Sequence, residues 1–455
     1  MFSAYRKFHF VGIGGIGMCG LAEVLHQWGY QVSGSDLNPS ENTRHLEKLG
    51  IRVSYGHHAD NLADSEILIY TSAAASDNPE LVSARKKGLK AIKRAELLGQ
   101  IFSRYQIRIA ISGTHGKSTT TGLVASVFIA AQQDPLVIGG GLFKDSRSPV
   151  RIGQGESIIV EADEFDRSFL RLYPSHAIVT TIEAEHLDCY ASLEDLKSTF
   201  LQFIQQVDSN GVVVVCIDEP AVAEIYPQIQ RKVITYGLSD SADFNAKSIL
   251  VRAGRTDFEI YERGVLAGKF QLQLTGAHNV KNALAAVAVA RYQGIDWMTI
   301  RAGLGQFQGI RRRMEVIYQN EHLILMDDYA HHPTEIEATL KGVRQAYGRR
   351  VIAVFQPHLY SRTRDFAKDF ARALKLADVV ILMEIYPARE APIPGVTSQL
   401  IFDELTDTQA VYVHSLPEAI THIQEIFRPG DLIVTLGAGN VNMIIPQLKE
   451  LLMPN

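Results

Sequence analysis

The residue types able to do chemistry in this sequence gather at the ends of short apolar runs, and the first of them is a glycine loop. Gly12-Ile13-Gly14-Gly15-Ile16-Gly17 follows the run Phe8-His9-Phe10-Val11, and Asp36 closes the next run about 20 residues on, the setting of a dinucleotide-binding fingerprint. Glycines there let the backbone approach a pyrophosphate at a helix N-terminus, where unsatisfied N–H groups and the helix dipole favour anions. The geometry specifies a pyrophosphate beside a ribose and not nicotinamide, so it suits a UDP-sugar as well as NAD. Cys19, just beyond, reads as a buried thiol rather than a nucleophile.

The second loop is Gly113-Thr114-His115-Gly116-Lys117-Ser118, followed by Thr119. It departs from G-x-x-x-x-G-K-[ST], because Ile111 stands in the first glycine's place, but the working parts remain. Backbone N–H groups can cradle phosphates, Lys117 can reach the β and γ oxygens, and the Ser118 hydroxyl can coordinate Mg²⁺. A dehydrogenase has no need of an ATP loop, so the pair of loops moves the reading from redox chemistry to phosphoryl transfer.

Carboxylates and histidines follow at other strand ends. Ile158-Ile159-Val160 runs into Glu161-Ala162-Asp163-Glu164, where a Mg²⁺ ligand is required beside a phosphate loop. The run from Ala177 ends in Glu183-Ala184-Glu185-His186-Leu187-Asp188, so His186 can meet a second metal ion or a substrate carboxylate. Gly276-Ala277-His278-Asn279-Val280-Lys281-Asn282 opens an Ala-rich helix; an Asn amide suits an adenine edge, and helix capping by Asn279 is the plainer reading. Asp327-Asp328-Tyr329-Ala330-His331-His332-Pro333 and Phe355-Gln356-Pro357-His358-Leu359-Tyr360-Ser361-Arg362 place further polar groups where doubly wound sheets bind ligands. Neighbouring side chains on a strand point to opposite faces, which argues against a zinc site at His331 and His332.

The elements that must position these groups are apolar runs of strand length alternating with amphipathic helices, the pattern of parallel α/β domains. A chain of 455 residues with 46% hydrophobic and 21% charged residues is a globular protein of about three domains. The expected division is a Rossmann-like domain over 1–98, a central P-loop mononucleotide-binding domain over 99–310 and a C-terminal Rossmann-like α/β domain over 311–455. A net charge of −5 argues against a nucleic-acid partner. Cys19, Cys189 and Cys216 form no CxxC pair, and no apolar stretch reaches the ~20 residues of a membrane span, so a cytoplasmic protein without a membrane partner is expected.

Taken together, the motifs resemble the Mur ligase family over essentially the whole chain. Gly12 to Met18, Gly113 to Lys117, Val160 to Glu164, Asp327 to Glu335 and Tyr386-Pro387-Ala388-Arg389-Glu390 carry the resemblance. It implies ATP-dependent amide-bond formation with Mg²⁺ on UDP-N-acetylmuramate, with L-alanine as the amino acid, in peptidoglycan precursor synthesis by a monomer or homodimer. By the same resemblance, Gly12, Gly14, Gly15, Gly17, Asp36 and Ser72 hold the UDP-sugar. Gly113, Thr114, His115, Gly116, Lys117, Ser118 and Thr119 hold ATP, with His278 and Asn282 at adenine and Asp328 at ribose. Ser118, Glu161 and His186 would be metal ligands; Arg313 would face phosphate, and His358 and Arg362 the amino-acid carboxylate. Cys19 and Phe165 stand where the family has Ser, and Leu359 and Ser361 where it has Arg and Thr. The carbamylated lysine of other members has no counterpart and is not expected. The alternatives are a family member that adds a preformed peptide and a nicotinamide dehydrogenase.

Overall fold

The computed structural model describes residues 4–142, 144, 148–184, 189–388 and 390–452. The apolar runs become the strands of three sheets, because continuous Val, Ile and Leu suit strands buried on both faces by crossover helices. The first sheet has five parallel strands in the order 3-2-1-4-5, which in chain order are Lys7–Val11, Gln31–Asp36, Arg52–Tyr55, Ile67–Tyr70 and Lys90–Lys93. The order reverses between the first and fourth strands, so the switch point lies beside the Gly12–Gly17 loop.

The second sheet has ten strands. Seven of them run parallel in the order Phe244–Arg252, Lys232–Gly237, Val212–Cys216, His176–Val179, Ile107–Ser112, Ser157–Glu161 and Leu136–Ile138. Val150–Arg151 is the antiparallel edge. The Ile107–Ser112 strand, which feeds the phosphate loop, is flanked by the strands that end at Val179 and Glu161. The helix Leu193–Gln205 buries Leu196, Phe200 and Phe203, as the spacing of its apolar residues requires.

The third sheet runs Glu315–Gln319, Leu323–Asp328, Asp431–Leu436, Val351–Phe355, Val379–Met383, Gln409–Val413, and only the first of these is antiparallel to its neighbour. Alternation along its strands divides the core in two. Ile324, Met326, Ala353 and Phe355 pack on one face, and Leu323, Leu325, Ile352 and Val354 on the other.

The chain forms two compact units. One comprises Met1–Lys247, Glu259–Phe270 and Lys281–Phe307; the other comprises Ser248–Phe258, Gln271–Val280 and Gln308–Asn455. The first unit thus contains the first sheet and the phosphate-loop region of the second. No helix among the described residues is long and apolar enough to cross a membrane.

Candidate active site

In the first unit, the Gly12–Gly17 loop is held by the strand beside it. Gly12, at φ +78°, and Ile13 both donate from their N–H groups to the Ser35 carbonyl at 2.9 Å. Asp36 accepts from Gly14 N through Oδ2 and from Leu37 N through Oδ1, each at 2.8 Å, and Asn42 donates to the Gly14 carbonyl at 2.8 Å. A Cβ on Gly14 would lie 2.8 Å from both Asp36 Oδ2 and Thr43 Cγ2, so only glycine fits. The helix Ile16–Gln27 begins directly after Gly15, and the Arg94 guanidinium packs against Gly17. Ser72 is exposed, two residues past the strand ending at Tyr70. Cys19 is fully buried and its thiol is pushed up to about 12 by burial and by the Glu23 charge, so it is no nucleophile at neutral pH.

The second loop is latched to the segment that follows the strand ending at Val179. Thr181 Oγ1 accepts from His115 N and meets Thr114 Oγ1, both at 2.8 Å, and the Thr181 carbonyl accepts from Thr114 N at 3.0 Å. Thr180 Oγ1 donates to the His115 carbonyl at 2.5 Å, and Glu183 N donates to Thr114 Oγ1 at 3.2 Å. The His115 ring lies 3.5 Å from the Glu183 carboxylate. Gly113 takes φ +137°, with Thr180 Oγ1 at 2.0 Å from where a Cβ would sit, so the latch itself demands glycine there.

Gly116, at φ +81°, caps the helix Lys117–Ala130, whose first-turn residues Ser118, Thr119 and Thr120 are buried. Four N-terminal N–H groups of a helix lack intrahelical partners, so this end suits an anion. Lys117 Nζ lies over the loop, donating to the Gly113 carbonyl at 2.6 Å and to both oxygens of Glu164 at 2.9 and 2.8 Å. Asn282 Oδ1 accepts from Thr120 Oγ1 at 3.3 Å, and a Cβ on Gly116 would stand 2.6 Å from it. The amide therefore lies against the phosphate loop. Glu161 ends its strand in register with Ile111, two residues ahead of the loop, and its Oε2 accepts from Gly140 N at 2.8 Å. Hydroxyl and carboxylate oxygens are what the hard Mg²⁺ ion takes, so Ser118 and Glu161 fit it in kind. His186 lies outside the described residues, as do Glu185, Leu187 and Asp188.

In the second unit, Asp328 is buried at the end of its strand and accepts from Ala330 N at 2.9 Å, Met314 N at 3.1 Å and Thr339 Oγ1 at 2.8 Å. Burial raises its carboxyl to about 6, although Arg313 and the Thr339 hydroxyl pull it down. Arg313 reaches Glu335 at 3.4 Å and faces the Tyr329 ring. Glu335 also accepts from the backbone N–H of His331 at 3.0 Å. The His331 ring meets His358 edge-on at 5.7 Å, and the His358 Nδ1 is 3.4 Å from Arg362. Arg313, His358 and Arg362 are thus linked through Glu335 and His331 beyond the ends of the strands Leu323–Asp328 and Val351–Phe355, which flank Asp431–Leu436. His278 stands at the start of the helix Ala277–Tyr292. Asn279 lies in the first turn of that helix, and its amide donates to the Thr275 carbonyl at 2.9 Å. His331 and His332 lie past the strand end at Asp328, so strand alternation does not govern them, and His332 instead caps the helix Pro333–Tyr347.

Several groups at these sites were not singled out from the sequence. Arg312 bridges Asp327 and the Gly437 carbonyl, at 3.0 and 2.7 Å, and so holds the turn Gly437-Ala438-Gly439-Asn440 at the end of a central strand. A Gly-x-Gly directly after the apolar run Leu432–Leu436 was the available signal. Thr180, Thr181 and Arg94 carried no signal beyond their positions near loops, and Glu164 stood in the acidic run with nothing to tie it to Lys117.

Residues 7–106 match the Mur ligase family catalytic domain, 111–290 the Mur ligase middle domain and 312–439 the Mur ligase glutamate ligase domain. The chain is 44% identical over 453 residues to a UDP-N-acetylmuramate–L-alanine ligase of Syntrophotalea carbinolica, covering 99% of each chain. It is 42% identical to the ligase of that name from a Geobacter species, covering 97% of this chain and 96% of the other. Among solved structures it resembles the UDP-N-acetylmuramate-alanine ligase of Thermotoga maritima, with a TM-score of 0.84, 29% identity and 98% of each chain covered. A murein peptide ligase of Psychrobacter arcticus shares the fold, with a TM-score of 0.72 at 23% identity.

Proposed function

This chain belongs to the Mur ligase family, and we propose that its two loops divide one reaction, the ATP-dependent joining of L-alanine to UDP-N-acetylmuramate in peptidoglycan synthesis. The observation that carries the division is the latched Gly113–Ser118 loop with Lys117 inside it, standing apart from the Gly12–Gly17 loop on a different sheet. The first loop then holds the UDP-sugar, with Gly12, Gly14, Gly15, Gly17, Asp36 and Ser72 about it, and the second holds ATP.

A carboxylate does not acylate an amine at neutral pH, because the anion repels nucleophiles and hydroxide leaves poorly. In our reading the lactyl carboxylate of the sugar attacks the γ-phosphate in line, giving an acyl phosphate and ADP. The amine of L-alanine then attacks the acyl carbon, and phosphate leaves. Lys117 and the helix N-terminus at Ser118 and Thr119 balance charge on the transferring phosphoryl oxygens, and Arg313 supplies further positive charge. Ser118, Glu161 and His186 would hold Mg²⁺, which would supply neutralisation of phosphate charge when bound. Asn282 and His278 serve adenine, Asp328 the ribose, and His358 with Arg362 the alanine carboxylate. Two anions must meet, so positioning and electrostatic balance supply most of the acceleration.

ADP release measured with ATP, Mg²⁺ and UDP-N-acetylmuramate against separate amino acids tests the reading, with L-alanine expected to be the best acceptor. Lys117→Ala should abolish ligation and leave UDP-sugar binding within about twofold, since the lysine belongs to the other loop. Equal loss of UDP-sugar affinity in a folded variant would show that the loops are not separate.

A further inference from the structure

Glu164 has no part in the reaction as assigned above, yet its carboxylate is fully buried and both its oxygens face Lys117. With the Gly113 carbonyl at 2.6 Å and the Thr114 carbonyl at 3.3 Å, at least four acceptors surround an ammonium that has three N–H donors. A phosphate oxygen can bind Lys117 only by taking a donor from one of them. The two carbonyls belong to the loop itself and are fixed by the Thr180 and Thr181 latch. Glu164 is the charged member of the set and competes with phosphate in kind.

The segment after Glu161 is built to aim this carboxylate. Asp166 and Arg167 both take left-handed backbone, at φ 53° and 52°, which non-glycine residues rarely adopt in succession. Their surroundings hold them there. The Arg167 guanidinium grips Asp195 at 2.9 and 2.7 Å and Thr199 at 2.9 Å, and stands over the Tyr190 ring. Arg167 N and the buried Tyr190 hydroxyl both donate to the Glu164 carbonyl, at 3.0 and 2.6 Å. Ser168 Oγ donates to the Asp163 carbonyl at 2.8 Å.

We propose that Glu164 is a positioning residue that occupies Lys117 in place of the nucleotide's phosphates and yields it when a nucleotide enters, so that it sets nucleotide affinity through Lys117. The proposal rests on the reading of Gly113–Ser118 as the ATP loop. Its consequence is that Glu164 weakens nucleotide binding while it keeps the lysine ordered in the empty loop. Neutralising it should tighten ADP and ATP alike, since both carry a β-phosphate, by about tenfold, the scale of one charge-assisted hydrogen bond.

Calorimetric titration of the full chain with ADP and with a non-hydrolysable ATP analogue, in Mg²⁺, decides this across wild type, Glu164→Gln, Lys117→Met and the double variant. UDP-N-acetylmuramate binding serves as the check of folding. Tightening in Glu164→Gln that disappears in the Lys117→Met background is the expected result, and a merely structural role for Glu164 would not produce it. Unchanged or weaker nucleotide binding in Glu164→Gln overturns the proposal. So does tightening of equal size without Lys117, because the carboxylate would then act on the phosphates directly. If Glu164→Gln fails to fold, Glu164→Asp withdraws the charge by one methylene; it should tighten binding by a smaller factor, and unchanged affinity overturns the proposal. A wild-type protein that binds no adenine nucleotide, or a Lys117→Met variant that binds as tightly as wild type, would instead defeat the loop assignment itself.

Discussion

Thr181→Val tests whether the phosphate loop is preorganised by its latch. The substitution keeps size and β-branching and leaves the Thr181 carbonyl free to accept from Thr114 N, but it removes the hydroxyl. Two hydrogen bonds at 2.8 Å are lost, one from His115 N and one with Thr114 Oγ1. Thr114 Oγ1 keeps Glu183 N at 3.2 Å, and Thr180 still holds the His115 carbonyl. At about 1 kcal/mol for each bond the loss is about 2 kcal/mol. If all of it falls on ordering the loop before phosphates bind, the apparent Kd for ATP rises about thirtyfold, because affinity scales with the competent fraction. Titration with a non-hydrolysable ATP analogue measures that, and titration with UDP-N-acetylmuramate gives the control, which should not change. Thr181→Ser, which keeps the hydroxyl, should bind ATP within about threefold of wild type. An unchanged ATP Kd in Thr181→Val, with a lowered Tm, would show that the latch serves the fold and not the nucleotide.

Gly14→Ala should lower UDP-sugar affinity more than about tenfold and spare ATP, because its Cβ would stand 2.8 Å from Asp36 Oδ2 and from Thr43 Cγ2; equal affinity in the variant would remove the loop from the sugar site. UDP-N-acetylmuramate should displace a fluorescent UDP analogue and NAD should not, and strong displacement by NAD would restore the dehydrogenase reading. For Asp328, burial lifts the carboxyl from 3.8 to about 6, so between those values the folded chain holds a proton that the unfolded chain has lost. That contribution to stability therefore falls as pH rises through the window, by ~3 kcal/mol over two pH units, and the wild-type minus Asp328→Asn difference in urea stability should change by that amount; a difference constant with pH would refute it.

The strands were legible because parallel strands covered on both faces need unbroken apolar runs, and Phe8–Val11, Ile158–Val160 and Val351–Val354 have them. The loops were legible because glycine takes left-handed backbone, as at Gly12 and Gly116, without steric cost. The latch was not, since Thr180 and Thr181 lie about 65 residues from His115 and meet it only through sheet order, which no local pattern encodes. Within Glu161-Ala162-Asp163-Glu164 the residue pattern offers three carboxylates, and only the resemblance to the family picks out Glu161 as the metal ligand. The turn at Asp166 and Arg167 separates them, with Glu164 inward on Lys117 and Glu161 at the strand end.

The two glycine loops obey one rule, a helix N-terminus presented to an anion, but they are held by different chemistry, and the difference bears on what each can bind. At the first, Asp36 takes the Gly14 N–H through one oxygen and the Leu37 N–H through the other. The acid that a dinucleotide fingerprint assigns to a ribose hydroxyl is here also a brace for the loop, which leaves the N–H groups of the helix start, with the Arg94 guanidinium beside Gly17, as those that would meet a pyrophosphate on the proposed reading. At the second, hydroxyls and carbonyls hold the loop, and its charged group, Lys117, is balanced by an internal carboxylate. A site whose cation is already neutralised selects for ligands able to outbid a buried carboxylate, which a polyphosphate with Mg²⁺ can do and a single weak anion cannot. On the proposed division, the first loop would be a braced cradle for a diphosphate that stays intact, and the second an exchangeable one for a phosphate chain that is to be broken.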